Sequence, residues 1–441
     1  MKTLLAFLLA LSGVAFARAL TLDATLQSTL NDNPEIQRAR IDLERAGGQR
    51  LIFHSVALPD AGIGALGGVE GGHRAGQKTT QPFGFGYGAI TQPFFNMAIP
   101  PSWRRGDIEV LIAQQNLNVA VTQQLHAARV AFYTAIYNRD VNSLRGEQRT
   151  RLEENTRAQK SRYETGLTDR AAFLAAQVQT RELDPRIDAA QRAYEGAILR
   201  LSEALGKDYG QYATLPQLEG ELHYADVDVD LAQESEKALQ QRPDIELARL
   251  MVRAAAEDQR IMAAAYYPQI TGEISGRYIP VTDVRTTQAS GSASRSEDII
   301  SSELREGGSY TWRVIDNGKV GGAVAQKKAA REINEILLQK LERDAHRDLA
   351  RIQNDLQSIA TKEKALQGAA AAAEENARTI QQNLAGGISS QLEYRLAQND
   401  LLEVKTALLT LAYQQHVDLA ERDRATGKYL RFVDASPRDV R

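Results

Sequence analysis

The side chains best able to do chemistry in this sequence are not arranged to do it. Its six histidines, His54, His73, His126, His223, His346 and His416, are scattered without metal-ligand spacing, so each reads as a surface or packing residue. The chain has no cysteine, which excludes disulfides, thiolate metal sites and a lipid on a mature N-terminal cysteine. No GxxxxGK[ST] phosphate loop, HExxH helix or GxSxG turn occurs, leaving no recognisable means of hydrolysing a nucleotide, peptide or ester. The net charge is -3 and no block of five like charges appears, so nothing suggests a nucleic-acid partner. The expectation is a protein that is not an enzyme and holds no cofactor or metal.

What the sequence does space with care are glycines and prolines. The stretch ETGLTDRAAFLAAQ, Glu164 to Gln177, is echoed by LAGGISSQLEYRLAQ, Leu384 to Gln398. Gly166 falls on Gly387, Gln177 on Gln398 and Gly206-Lys207 on Gly427-Lys428, all at a spacing of 221. Each copy is a glycine turn, a Ser or Thr that marks a helix start, and a helix of about forty residues. A second offset, 209, carries NPEI at Asn33 to Ile36 onto RPDI at Arg242 to Ile245, and Pro59 onto Pro268. Two offsets in fixed order describe one internal duplication. The expected organisation is a signal peptide at 1–19, a first repeat at 20–207, a linker at 208–228, a second repeat at 229–428 and a tail at 429–441. The signal peptide rests on Lys2, an apolar run from Leu4 to Leu11, and small residues at Ala15, Ala17 and Ala19, which imply export.

After the second proline of each repeat the periodicity changes from helical to two. Ile270, Gly272, Ile274, Gly276 and Tyr278 alternate with Gln269, Thr271, Glu273, Ser275 and Arg277, and Tyr310, Trp312 and Val314 alternate with Thr311 and Arg313. In the first repeat Phe83, Phe85, Tyr87 and Ala89 alternate with glycines, with Ala61, Ile63, Ala65 and Val69 as their partner. Strands are expected at about 59–69, 82–92, 268–281 and 309–317, near the length of a tilted transmembrane strand. Phe83, Phe85, Tyr87, Tyr278, Tyr310 and Trp312 are the candidate membrane-facing aromatics, as in an interfacial girdle. Polar connections, Glu70 to Gln81 and Thr282 to Gly308, fit extracellular loops.

Four strands cannot close a barrel, and unpaired backbone groups in hydrocarbon cost several kcal/mol each. The chain must therefore associate with copies of itself. Two copies give eight strands and a filled interior, whereas three give twelve and room for a lumen. The helical hairpins, about 103–206 and 320–427, contain helices of some sixty residues that need neighbours. Ile333, Leu337, Leu341, Ala345, Leu349, Ile352, Leu356 and Ile359 supply a seam for such packing. Pro185 should bend one returning helix locally.

Over about residues 20 to 430 the chain resembles the TolC family of outer-membrane efflux and secretion ducts. The resemblance rests on the duplication, the NPEI and RPDI segments, YYPQI at Tyr266 to Ile270, WRVIDNGKVGGAVAQ at Trp312 to Gln326, and the two glycine hairpins. It implies a mostly α chain with transmembrane β: long helical hairpins forming an α-barrel, and four strands per chain in a trimeric twelve-stranded outer-membrane barrel. It also implies a passive conduit in the outer membrane, extending into the periplasm and driven by an inner-membrane transporter through a periplasmic adaptor. Thr165, Gly166, Leu167, Gly386, Gly387 and Ile388 are the implied adaptor-docking tips, and Glu393 the implied acid of a periplasmic aperture. The family's second ring acid falls on Leu396, and its tyrosine, arginine and their partners fall near Leu384, Ser389, Ala172 and Ala171, so that gate is not carried over. The competing expectation is a secreted periplasmic coiled-coil protein with a soluble sheet and no pore. Aromatics facing outward favour the duct, and aromatics sealed in a core favour the alternative.

Overall fold

A computed structural model describes residues 20–74, 77–207, 216–227, 230–286 and 295–432. The expected signal peptide lies outside them, as do most of the tail and much of the linker.

The element order is stated twice. Helices α1 (Leu22–Asp32) and α2 (Pro34–Ser55) lead into strands β1 (Asp60–Arg74) and β2 (Gln77–Phe95) and helices α3 (Ile99–Glu164) and α4 (Arg170–Leu205). The second set is α5 (Leu231–Gln241), α6 (Pro243–Ala263), β3 (Gln269–Thr286), β4 (Arg295–Thr311), α7 (Lys319–Ala385) and α8 (Gln391–Ala425). The spaced residues sit at matching joints. Thr21 and Asp230 are the N-caps of α1 and α5, and Pro34 and Pro243 are the first residues of α2 and α6, where a missing N–H costs nothing. Asn33 caps α2 by accepting from the Glu35 N–H at 3.0 Å. Its counterpart Arg242 cannot accept, and instead pairs with Asp244 at 2.8 Å.

One compact unit comprises the described residues within 20–41, 116–246 and 341–432. Phe132 and Ile136 of α3, Ile198, Leu201 and Leu205 of α4, and Leu218 and Leu222 form its largest buried cluster. Leu349, Ile352 and Leu356 of α7 pack with Ala238 and Ala425. Nearer the hairpin turns, Leu152, Leu183 and Tyr394 form a further cluster. The five seam residues from Ala345 to Ile359 are thus buried within the chain. Gly206 and Gly427 end the two hairpins at φ +69° and +74°, in the left-handed region. A Cβ on Gly206 would lie 2.6 Å from the Asp32 carbonyl oxygen, and one on Gly427 2.7 Å from that of Gln241. The repeat therefore closes on itself through two backbone contacts that only glycine permits.

The other unit comprises the described residues within 42–115 and 247–340. Its strands form a single antiparallel sheet in the order β1-β2-β3-β4, joined to a helical base in which Ile108 and Ile112 of α3 meet Leu250 and Ala254 of α6. Arg105 ties that base by pairing with Asp258 at 3.0 Å and lying over the Phe53 ring at 5.2 Å. Ile333 and Leu337 of the expected seam are exposed in the single chain, as is the neighbouring Ile336.

The strands depart from their expected bounds. β1, β2 and β3 run on through much of the polar segments, with Glu70 pairing Gln81 and Asp283 pairing Asp298, because the ladder joins backbone groups and needs no apolar side chain. β4 spans Arg295–Thr311 and stops where the fourth strand was expected to begin its main course. Trp312 and Val314 lie beyond it because Asp316, Asn317 and Gly318 start α7: the Asp316 carboxylate accepts from the Val320 N–H at 2.7 Å, and Asn317 and Gly318 have φ of 54° and 82°.

Gly427→Ala should lower stability by about 1–3 kcal/mol through strain and the backbone clash. Gly368→Ala, in a helix with open space where its Cβ would go, should raise it by up to about 1 kcal/mol. Thermal unfolding of the two variants in detergent should move in opposite directions.

Candidate functional site

Residues paired across antiparallel strands share a face, and faces alternate along each strand. The register therefore sorts the sheet. Ile63 stands opposite Gly88, Ile90 opposite Ile274, Gly276 opposite Leu304 and Ile270 opposite Tyr310. That face also carries Ala61, Ala65, Val69 and Tyr278, with Glu306 as its charged exception. Its large side chains are bare: Ile63 is 96% exposed, Leu304 69% and Tyr310 63%. The other face carries Glu273, Arg277, Glu303 and Arg305. It also carries Phe85 and Tyr87, since Tyr87 pairs with Arg277 and the Arg277 guanidinium lies 4.1 Å from the Phe85 ring centroid.

The six expected membrane-facing aromatics thus do not share one face. Tyr278 and Tyr310 lie on the apolar side, whereas Phe85 and Tyr87 lie on the charged side. β2 places glycine on both sides of these rings, so it has no polar residue nearby to mark its faces; the mark is on β3, across the ladder. The Phe83 side chain lies outside the described residues. Trp312 sits past the end of β4, where its indole N–H donates to the Tyr266 carbonyl at 3.1 Å. With Phe94, Phe95, Tyr266, Tyr267 and Tyr310 it makes an exposed aromatic rim at the end of the sheet that joins the helices, a feature that alternation within single strands does not reveal.

In the first unit the two hairpin turns have the same geometry. Gly166 and Gly387 adopt φ +73° and +75°. The Leu167 N–H donates to the Arg162 carbonyl and the Ile388 N–H to the Asn383 carbonyl, each at 2.8 Å, which closes a left-handed helix end. Leu167 is 73% exposed and Ile388 81%, so both turns present a bare aliphatic side chain. The turns are joined: Arg162 donates to the Leu384 carbonyl at 3.0 Å, and Asn155 donates to Gln391 at 3.0 Å. Thr165 is spent locally, donating to the Ser161 carbonyl, and Gly386 and Gly387 complete the second turn.

Glu393 is exposed at the third position of α8 and forms a capping box with Ser390. Its carboxylate accepts from the Ser390 N–H at 2.7 Å, and the Ser390 hydroxyl accepts from the Glu393 N–H at 3.2 Å. The bond from the Ser390 backbone holds the Glu393 carboxyl below its usual range, so it stays charged. The S-x-x-E spacing that announces this box was present in the sequence. In the matching place of the first hairpin Asp169 alone caps α4. Leu396 is exposed one turn further along α8.

Towards the far end of α8 lies a belt of titratable groups. Arg129 bonds Asp423 at 2.6 Å, Lys428 reaches the same carboxylate at 3.0 Å, and Arg422 bonds the buried Glu234. His126 lies 3.2 Å from Glu421, yet burial pushes its pKa down. Asp418 is pushed up to about 6, by burial first and by the charge of Asp355 second, against the pull of Arg351. Among the described residues no cluster of three His, Cys, Asp or Glu side chains could hold a metal.

An acid whose folded pKa is raised binds its proton more tightly in the folded state. Its stabilising contribution is therefore present at acid pH and is lost as pH rises through about 6. Asp418→Asn should raise the melting temperature most at pH 7.5, raise it less at pH 5, and change it little below the unfolded value of 3.8. Ser390→Ala should cost about 1 kcal/mol through loss of the cap, read by the same melts.

Residues 235–428 match the family model described as outer membrane efflux protein. A sequence comparison with curated proteins finds no match. Among solved structures, the CmeC outer membrane channel of Campylobacter jejuni is similar with a TM-score of 0.78 at 14% identity, over 92% of this chain and 85% of that one. The outer membrane protein VceC of Vibrio cholerae is similar with a TM-score of 0.76 at 15% identity, over 92% of this chain and 96% of that one. The MtrE outer membrane channel of Neisseria gonorrhoeae has a TM-score of 0.72 at 18% identity, over 92% of this chain and 88% of that one. Duplicated helical hairpins bearing one open four-stranded sheet are the fold of these channels, and the sequence match across most of the second repeat identifies the chain's resemblance as one to the outer membrane efflux proteins of the TolC kind.

Proposed function

We propose that this chain is one third of a passive exit duct in the outer membrane. The observation that carries the reading is the sheet: an apolar, exposed face, a charged face, and outer edges on β1 and β4 with no described partner. Lipid can cover the first face, but an edge strand in hydrocarbon leaves its amides unpaired at several kcal/mol each. Association of three copies edge to edge gives a twelve-stranded barrel whose charged face lines a lumen. Exposed Ile333, Ile336 and Leu337 supply contacts between copies at the barrel's helical base. The exposure of Tyr278, Tyr310 and Leu304 in the single chain counts against a soluble sheet with a sealed core.

The helical hairpins form the periplasmic α-barrel of this duct. Its tips, Thr165, Gly166 and Leu167 with Gly386, Gly387 and Ile388, dock a periplasmic adaptor that links to an inner-membrane transporter. The bare Leu167 and Ile388 side chains suit a hydrophobic contact of that kind. Glu393 supplies the charge of the aperture. It does so while capping α8, so its position is set by the helix end rather than by a flexible side chain. The transporter provides the energy, and the duct itself performs no reaction.

Two measurements test this. Detergent extraction of outer-membrane fractions should release a complex of three chains, whereas a soluble monomer from the periplasmic fraction would overturn the reading. Glu393→Gln keeps the capping box, since glutamine also accepts from the Ser390 N–H, and removes only the charge. Block of single-channel current by divalent cations should weaken in that variant, and unchanged block would remove Glu393 from the aperture.

A further inference from the structure

Among its described side chains, the charged face of the sheet carries one cation without a counterion. Arg277 stands in a row that runs Gly64, Tyr87, Arg277, Glu303 across the four strands. Glu303, directly opposite, gives its carboxylate to Arg305 of its own strand, with contacts of 2.9 Å from Nε and 2.7 Å from Nη2. Tyr87 turns the other way, so that its ring covers Gly64, where a Cβ would lie 2.5 Å from the ring. Arg277 is left stacked on Phe85 at 4.1 Å, an interaction that fixes the guanidinium without neutralising it. The other described carboxylates on this face, Glu273 and Asp60, share a row through Thr91, and Glu273 is four residues back along β3 from Arg277, about 13 Å towards the helix-joined end. These two carboxylates and Arg277 therefore occupy different levels of the sheet.

We propose that Arg277, braced on Phe85, sets the charge selectivity of the barrel section of the duct, favouring anionic cargo and small anions. The inference rests on the proposed duct, in which the charged face lines water. Three copies of the chain place three such guanidinium groups at one level of the wall. Their fields add in a narrow, water-filled space bounded by low-dielectric walls, and are screened over about 10 Å at 0.1 M salt. The Glu303–Arg305 pairs at and beside that level contribute little net charge. Phe85 is thereby a positioning residue: it holds the cation against the wall, leaving the passage open.

The test is the reversal potential of the purified trimer in a planar bilayer under a potassium chloride gradient. Arg277→Gln should lower the chloride-to-potassium permeability ratio by about twofold, with a smaller change at high salt. Glu303→Gln, which frees the charge of Arg305, should move the ratio the other way and does not depend on the folding of the first variant. Arg277→Lys should stay near the wild type, since it keeps the charge and loses only the planar stack. Reversal potentials that match the wild type in both glutamine variants would overturn the inference while leaving the duct intact. A wild-type protein that forms no channel would overturn the duct and the inference with it.

Discussion

An apolar sheet face is costly in water, and an unpaired strand edge is costly in hydrocarbon. Moving this sheet into a bilayer relieves the first cost and aggravates the second. Only further strands of the same kind relieve both, and the described residues supply four, with no described partner at either edge. The remaining features of that unit fit this constraint. The rim of Phe94, Phe95, Tyr266, Tyr267, Tyr310 and Trp312 stands where strands give way to helices, the level at which amphipathic rings are most stable beside a membrane. The Ile333, Ile336 and Leu337 face is left bare by the single chain.

Much of the architecture was legible in the sequence because it is written in residues with special backbones. Pro34 and Pro243 mark the same joint, and Gly166, Gly206, Gly387 and Gly427 all occupy left-handed conformations. Strand ends were less legible. Side-chain alternation reports which faces differ, whereas pairing continues wherever backbone partners continue, as between Asp283 and Asp298. The sidedness of Phe85 and Tyr87 was hidden for a related reason. Their strand alternates rings with glycine, and only the pairing of Tyr87 with Arg277 shows which side is charged. At Glu393 the spacing to Ser390 marks the capping box in the sequence itself, whereas an aperture role comes only with the family resemblance.

The two repeats use different chemistry at equivalent joints. Asn33 caps α2 and also donates to the Ala204 carbonyl at 2.9 Å, tying the α1–α2 joint to the hairpin end. Arg242 replaces that network with ion pairs to Asp244 and Asp348. Arg422 and Glu234 add another largely buried pair nearby. Such pairs gain little net stability after desolvation but disfavour misaligned packing, since a slipped register leaves a buried charge alone. The second repeat thus fixes its joint by charge matching where the first uses amide geometry, and the same helix arrangement results.

The glycine contacts at Asp32 and Gln241 have a further consequence. They hold each hairpin to its short helix pair through main-chain atoms, so the arrangement places few demands on the identity of neighbouring side chains. A chain built this way can exchange many of its residues while keeping its shape, and the channels of similar fold share only 14% and 15% identity with it. In the proposed duct, substitution freedom of that kind leaves the lining open to selection for new cargo without endangering the wall that contains it.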